Sequence, residues 1–326
     1  MTDKKLIAVV GATGSQGGGL VRAILVDPDA TYAVRAVTRN AQSRSAKALA
    51  AAGAEVVEAD LDDETSLRKA FDGAHGAFVV TNYWVERTPA EEAARTRGQM
   101  EYEQAENAAR AAKDAGVAHV VWSTLEDTRP HFGDTDRVPS LDGGRYKVPH
   151  FDAKGEANEL FTKYGVPTTN LQTTFYFDSL KQGMGPARDA DGKLILTLPM
   201  ADQPLSGIAS EDIGRTALGI FKRGAELIGK TVSIAGDHLT GTEYAAALTE
   251  ALGEQVTYQP YTWDEYRALG FPLAVEIANM FQFYAEDSAR FTGDRDLNLV
   301  RELNPDLQSF TTWLNLHKDA LKSAAN

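Results

Sequence analysis

The sequence predicts an α/β fold, a doubly wound parallel sheet with a second, smaller α/β domain. Three observations carry this. Leu6-Ile7-Ala8-Val9-Val10 is an unbroken apolar run, the pattern of a strand buried on both faces. Gly11, Gly14 and Gly17 follow it, and Leu20, Val21, Ile24 and Leu25 then recur at helical spacing. Short apolar runs go on alternating with amphipathic stretches through the first half of the chain, as in βαβ units, whose crossovers are right-handed.

The elements follow in order. Residues 32–38 form the second strand and 41–52 a helix stopped by Gly53. Residues 55–59 form a third strand, and 64–71 a helix capped by Asp62 or Asp63. Residues 76–80 form a fourth strand, 91–116 one long helix, and 119–122 a fifth strand ending at Ser123. Residues 126–149 carry Pro, Gly and Asp without periodicity, the mark of a lid or specificity loop, with a merely variable surface loop as the alternative. A helix over 151–164 and a sixth strand over 167–177 come next. Later, less regular elements fall at 193–198, 211–223, 231–235, 242–252, 256–261, 262–269, 272–284 and 310–321. The chain divides into a nucleotide-binding domain of 1–178 and 206–229, and a capping domain of 179–205 and 230–326, with the ligand cleft expected between them.

Composition narrows the function classes. There is no cysteine, which excludes disulfides, thiol catalysis and Cys-based zinc sites. The six histidines are scattered without i,i+4 pairing, so no metal is expected. A net charge of −13 repels nucleic acid, and no basic patch offsets it. No apolar run is long enough to span a bilayer, and the first strand begins too early to leave room for a signal peptide. A cytoplasmic protein is expected, with homodimerisation through aromatic residues near the C-terminus as one possibility.

Strand, glycine turn and helix together make the first unit of a Rossmann fold. Gly11 permits the turn off the strand, Gly14 lets backbone approach a pyrophosphate, and Gly17 lets the helix pack closely. The spacing is GxxGxxG, one residue longer than GxGxxG. With Thr13, Ser15 and Gln16 these glycines form the expected phosphate cradle, where unpaired N–H groups and the helix dipole favour anions. An acid at the end of the second strand would select NAD; Thr38-Arg39-Asn40 stands there instead. Arg39, helped by Gln42, Ser43 and Arg44, favours NADP(H) by pairing with a 2′-phosphate. Asp60, with Leu61 beside it, is placed to meet the adenine; capping the next helix is its other use. Thr81 and Asn82 line the path to the nicotinamide ribose.

Short-chain dehydrogenases use a Ser at the end of strand five and a Tyr four residues before a Lys. Here Ser123 and Lys154 take the Ser and Lys places, and His150 stands where the Tyr would be. The i,i+4 spacing puts His150 and Lys154 on one helix face if the helix expected over 151–164 reaches back to Pro149, which is compatible with a helix start there. His150 is thus either a proton donor or a polar lining residue.

The segments Gly11 to Gly18, Val37-Thr38-Arg39-Asn40, Gly53-Ala54-Glu55-Val56-Val57 and Val80-Thr81-Asn82-Tyr83-Trp84 resemble the NmrA-like family of atypical short-chain dehydrogenases. So do His150-Phe151-Asp152-Ala153-Lys154-Gly155-Glu156, Tyr176-Phe177, Leu269-Gly270-Phe271-Pro272 and Ala278-Asn279-Met280-Phe281. The strongest likeness is to its NADPH-sensor members, although residues 128–148 are longer than theirs. The resemblance implies NADP(H) binding, Arg39 on the 2′-phosphate and Lys154 in the dehydrogenase lysine's place. Tyr83, Tyr176 and Phe177, in the matching segments, complete the expected cofactor contacts. It also implies either an NADPH sensor or regulator that binds a partner protein, or an NADPH-dependent reductase of a small quinone, carbonyl or conjugated substrate.

Overall fold

A computed structural model describes residues 4–324; residues 1–3, on which the signal-peptide expectation partly rests, lie outside them. A seven-stranded parallel sheet forms the first layer. Its elements are β1 (Lys5–Val10), α1 (Ser15–Val26), β2 (Tyr32–Thr38), α2 (Arg44–Ala51), β3 (Glu55–Glu58), α3 (Glu64–Phe71) and β4 (Gly76–Val79). They continue with α4 (Arg97–Asp114), β5 (His119–Thr124), α5 (Pro149–Lys163), β6 (Thr168–Gln172), α6 (Ser210–Arg223) and β7 (Thr231–Ser233). The strand order is β7-β6-β5-β4-β1-β2-β3. The order reverses beside β1, so the crevice of a doubly wound sheet opens at its C-terminal end. Alternate residues of β1 feed two cores: Ile7 and Val9 pack with Leu20 and Phe221 on one face, Ala8 and Val10 with Phe71 and Trp122 on the other.

Several expected boundaries shift for local reasons. The helix expected over 91–116 is two helices, Pro89–Ala94 and α4. Arg95 adopts extended backbone, and Thr96 caps α4 by accepting from the Gln99 N–H. Asp63, not Asp62 or Asp60, caps α3, accepting from the Thr65 and Ser66 N–H groups. The strand expected over 167–177 leaves the main sheet at Gln172, and Phe175–Tyr176 pairs instead with Leu205–Ile208.

The second layer holds two three-stranded sheets, one of them containing that pair and Asp237–Leu239. Its core is aromatic: Phe281, Phe283, Tyr284, Phe291, Phe310 and Trp313. The aromatics near the C-terminus, Phe310 and Trp313, are thereby buried in the chain's own core. Two features cross the expected domain division. β7 joins the first layer although it follows residue 229, because β6 offers it a free parallel edge. Leu205–Ile208 reaches into 206–229 yet pairs with second-layer strands. The helix Leu297–Leu303 also returns to the first layer. It lies so close to α6 that a Cβ on Gly219 would be 2.0 Å from the Leu303 carbonyl oxygen.

The segment 126–149 is not a lid. Phe132, Val138, Tyr146 and Val148 are buried, and no residue of the segment lines the main cleft. It is bolted to the helix α7 (Ala274–Glu286). Asn279 donates to the Pro139 and Lys147 carbonyls, and Glu286 accepts from Arg137 and His131.

Candidate functional site

A cleft of about 1320 Å³ runs from the glycine turn to α7. At one end Gly11 turns the chain at φ +68°, and the Gly14 N–H donates to the Gly11 carbonyl. A Cβ on Gly17 would lie 2.5 Å from that carbonyl oxygen. The same Cβ would lie 2.9 Å from the Val10 carbonyl oxygen at the end of β1, so Gly17 lets the helix sit close to the sheet; Gly19, whose added Cβ would lie 2.5 Å from the Glu211 carbonyl oxygen, lets it sit close to α6. α1 begins with no side-chain cap and no acid in its first turn, which leaves its free N–H groups and dipole for an anion.

Gly11, Thr13, Gly14, Ser15, Gln16, Gly17, Arg39, Asp60, Leu61, Thr81, Asn82, Tyr83, His150, Lys154 and Tyr176 all line this cleft. Arg39 is exposed, and its guanidinium makes no hydrogen bond or ion pair among the described residues. Of the helpers expected beside it only Ser43 lines the cleft, and its hydroxyl caps α2 by accepting from the Ala46 N–H. Asp60 accepts the Asp62 N–H, which fixes the turn after β3.

Two expected residues are elsewhere. Phe177 is fully buried against Phe310 and Trp313 in the second layer, because the chain has already left the main sheet. Ser123 is buried outside the cleft lining. Its hydroxyl donates to Gln16 Oε1 at 2.7 Å, and Gln16 Nε2 donates to the Tyr176 hydroxyl at 2.8 Å. Ser123 thus braces the glycine turn.

At the other end α5 carries His150 and Lys154 on one face, as their spacing requires. Both are largely buried. The Lys154 ammonium donates to the Thr81 carbonyl at 3.2 Å and to the Thr81 hydroxyl. It also pairs with Glu101 Oε1 at 3.0 Å. Glu101 comes from α4, is 1% exposed, and accepts the Thr81 hydroxyl at 2.6 Å. His150 Nδ1 lies 2.6 Å from Oε1 of Glu276, which stands in the first turn of α7 and also accepts the His150 backbone N–H at 3.0 Å. Tyr83 donates to Glu276 Oε2 at 2.8 Å. Burial first, then the Glu276 carboxylate, push the Tyr83 phenol far above its ordinary value, so it remains a donor.

Reading the sequence missed Glu101 and Glu276. Neither has a motif partner nearby: Glu276 meets His150 across 126 positions. It also missed Val85, Arg87 and Arg95 in the cleft lining, and Ile277 and Tyr284, which with Met280 bring apolar surface to it from α7.

The NmrA-like family model matches residues 3–307. The chain is 28% identical over 299 residues to the NmrA-like family domain-containing oxidoreductase cpsB of Aspergillus campestris, covering 90% of this chain and 86% of that one. Among solved structures, NmrA, a negative transcriptional regulator, in complex with NADP superposes with a TM-score of 0.75 at 22% identity, covering 98% of this chain and 97% of that one. Citrobacter sp. triphenylmethane reductase complexed with NADP(H) gives 0.69 at 20% identity, covering 96% and 99%. At these identities the two structures speak for the fold.

Proposed function

Because the chain belongs to the NmrA-like family, we propose that it is an NADP(H)-dependent reductase of a small quinone, carbonyl or conjugated substrate. One observation carries this reading. The glycine turn, Arg39, Lys154 and His150 line a single continuous cleft that ends against the apolar face of α7. The dinucleotide fits the near end by its shape requirements: a bare backbone turn that a Cβ at Gly17 would fill, a helix start free of acid, and an unpaired guanidinium where a 2′-phosphate is read. Gly14 to Gly17 would hold the pyrophosphate, Arg39 the 2′-phosphate, and Asp60 and Leu61 the adenine side. Thr81, Asn82 and Lys154 would hold the nicotinamide ribose, with Tyr83 and Tyr176 beside it. When bound, the reduced nicotinamide supplies a hydride. The chain's own part is to exclude water with Ile277, Met280 and Tyr284, to fix Lys154 through Glu101, and to offer His150 to the substrate.

Following NADPH absorbance with a panel of quinones, enones and aldehydes tests this. Sustained turnover that Lys154→Ala abolishes is expected. A second reading, an NADPH sensor or regulator, draws support from His150 in the Tyr position and from the likeness to the regulator NmrA. Tight NADPH binding with no turnover on any acceptor, together with NADPH-dependent capture of a protein partner, would establish it instead. A homodimer and a cytoplasmic site of action remain proposals beside it; no helix of the described residues is long and apolar enough to cross a membrane.

A further inference from the structure

We propose that His150 is the proton donor of the cleft and that Glu276 is the residue that positions it. The assignment rests on the reductase reading and deepens it. His150 belongs to the first layer and Glu276 to the second, so the pair forms only where the two layers meet.

The geometry is over-determined. Glu276 is 2% exposed, and burying a carboxylate is costly unless donors meet it. Three do: His150 Nδ1 at 2.6 Å, the His150 backbone N–H at 3.0 Å and the Tyr83 hydroxyl at 2.8 Å. The backbone contact also caps α5, whose N-cap Val148 has no side chain able to do so. The imidazole is walled in by Tyr83, Trp84 and Phe151, with ring centroids at 5.6, 4.9 and 4.9 Å. Those rings hinder it from turning over. Nδ1 is thereby committed to the carboxylate, and Nε2 has no protein partner among the described residues, in a ring that lines the cleft.

A carboxylate on Nδ1 fixes the tautomer, so proton traffic runs through Nε2. In the reduction the Nε2–H bond breaks and an O–H or N–H bond forms on the substrate heteroatom. The hydride and its electron pair, which complete the balance at carbon, come from the dihydronicotinamide. The ring, doubly protonated before the step, is left neutral with its remaining proton on Nδ1, and recovers the other from solvent. The substrate class narrows accordingly to compounds whose reducible carbon is bonded or conjugated to a basic heteroatom.

The test has two arms. In the cofactor-free protein, long-range proton–nitrogen spectra of labelled histidines, assigned with His150→Gln, are expected to show neutral His150 protonated on Nδ1. Glu276→Gln should move it towards the Nε2–H form. In turnover, His150→Gln should lower kcat by about 10²-fold or more, in the range of general acid catalysis. Glu276→Gln should lower it by roughly 10-fold with KM within about 3-fold, and the double variant should be no slower than His150→Gln alone, as for residues acting as a unit. Tyr83→Phe, which leaves the imidazole contact intact, should fall between Glu276→Gln and the wild type. A wild-type spectrum in which neutral His150 carries its single proton on Nε2 overturns the assignment. So does wild-type kcat in His150→Gln, and both leave the reductase reading standing. Failure of the wild-type protein to oxidise NADPH with any acceptor sinks the reductase reading, and the proton role with it.

Discussion

Arg39 and Glu101 show how differently two charged side chains earn their places. Arg39 lies exposed in the cleft lining with no protein partner among the described residues, so nothing in the fold depends on it. Arg39→Ala should weaken NADPH by about 1.5–3 kcal/mol, the worth of a hydrogen bond to a charged group, and leave NADH nearly unchanged. Calorimetric titration of both nucleotides checks this, and equal losses would separate Arg39 from the 2′-phosphate. Glu101 is the reverse case, a buried carboxylate with one oxygen on Lys154 and Thr81 and the other unpartnered. Removing one member of such a pair strands the other's charge. Glu101→Ala should therefore cost about 3–5 kcal/mol, and Glu101→Leu with Lys154→Met should recover most of it. Urea unfolding of the two variants and the wild type decides; a double variant as unstable as the single one would show that stranded charge is not the cause.

Among the elements, α1 and α6 pack closely because glycines face each other's backbone. A Cβ on Gly214 would lie 2.2 Å from the Leu20 nitrogen and 2.4 Å from the Gln16 carbonyl oxygen. Backbone cannot step aside as a side chain can, so Gly214→Ala should lower stability by about 1–3 kcal/mol. It should also disturb the phosphate cradle through Gln16; the urea midpoint and NADPH affinity are expected to fall together.

The same elements show what was legible in the sequence. β1 to β5 and the glycine turn were, because an apolar run between turn residues has few other readings. The break before α4 was legible in part: Thr96 followed three residues later by Gln99 is a cap signal, but the helical pattern on either side hid it. The departure of residues 173–177 from the main sheet was not, since Thr and aromatic residues suit either sheet. The fate of 126–149 was hidden too. A stretch without periodicity reads as loose, and what ties it down, Asn279 and Glu286, lies more than 130 positions along the chain.

Across the whole molecule, a few buried polar contacts join the two layers. Arg295 donates to Glu126 at 2.6 Å and to the Thr173 carbonyl at 2.7 Å, and Glu276 receives His150 and Tyr83. Nearer the surface, Glu286 joins α7 to residues 126–149. Burial pushes the Glu286 carboxyl up, but Arg137, Gln282 and His131 outweigh it, so it titrates below the usual 4.5. A carboxyl with a lowered folded value stabilises above its unfolded value, and that contribution is lost as pH falls through the folded one. Hydrogen exchange and proteolysis within 129–146 should therefore rise as pH falls below the ordinary carboxyl value of 4.5, and Glu286→Gln should already show the acid behaviour at neutral pH. A protection pattern independent of pH in the wild type would contradict this.

The return of Leu297–Leu303 to α6 has a consequence for biosynthesis. Val300 and Leu303 are buried with Phe221 and Ile220, and the Gln308 N–H meets the fully buried Asp212 at 2.9 Å. On the ribosome, the nucleotide-binding layer therefore stays open on one side until the chain has emerged as far as residue 308. A protein truncated before this helix would keep every strand of the large sheet and still leave an apolar stripe bare, a natural target for chaperones.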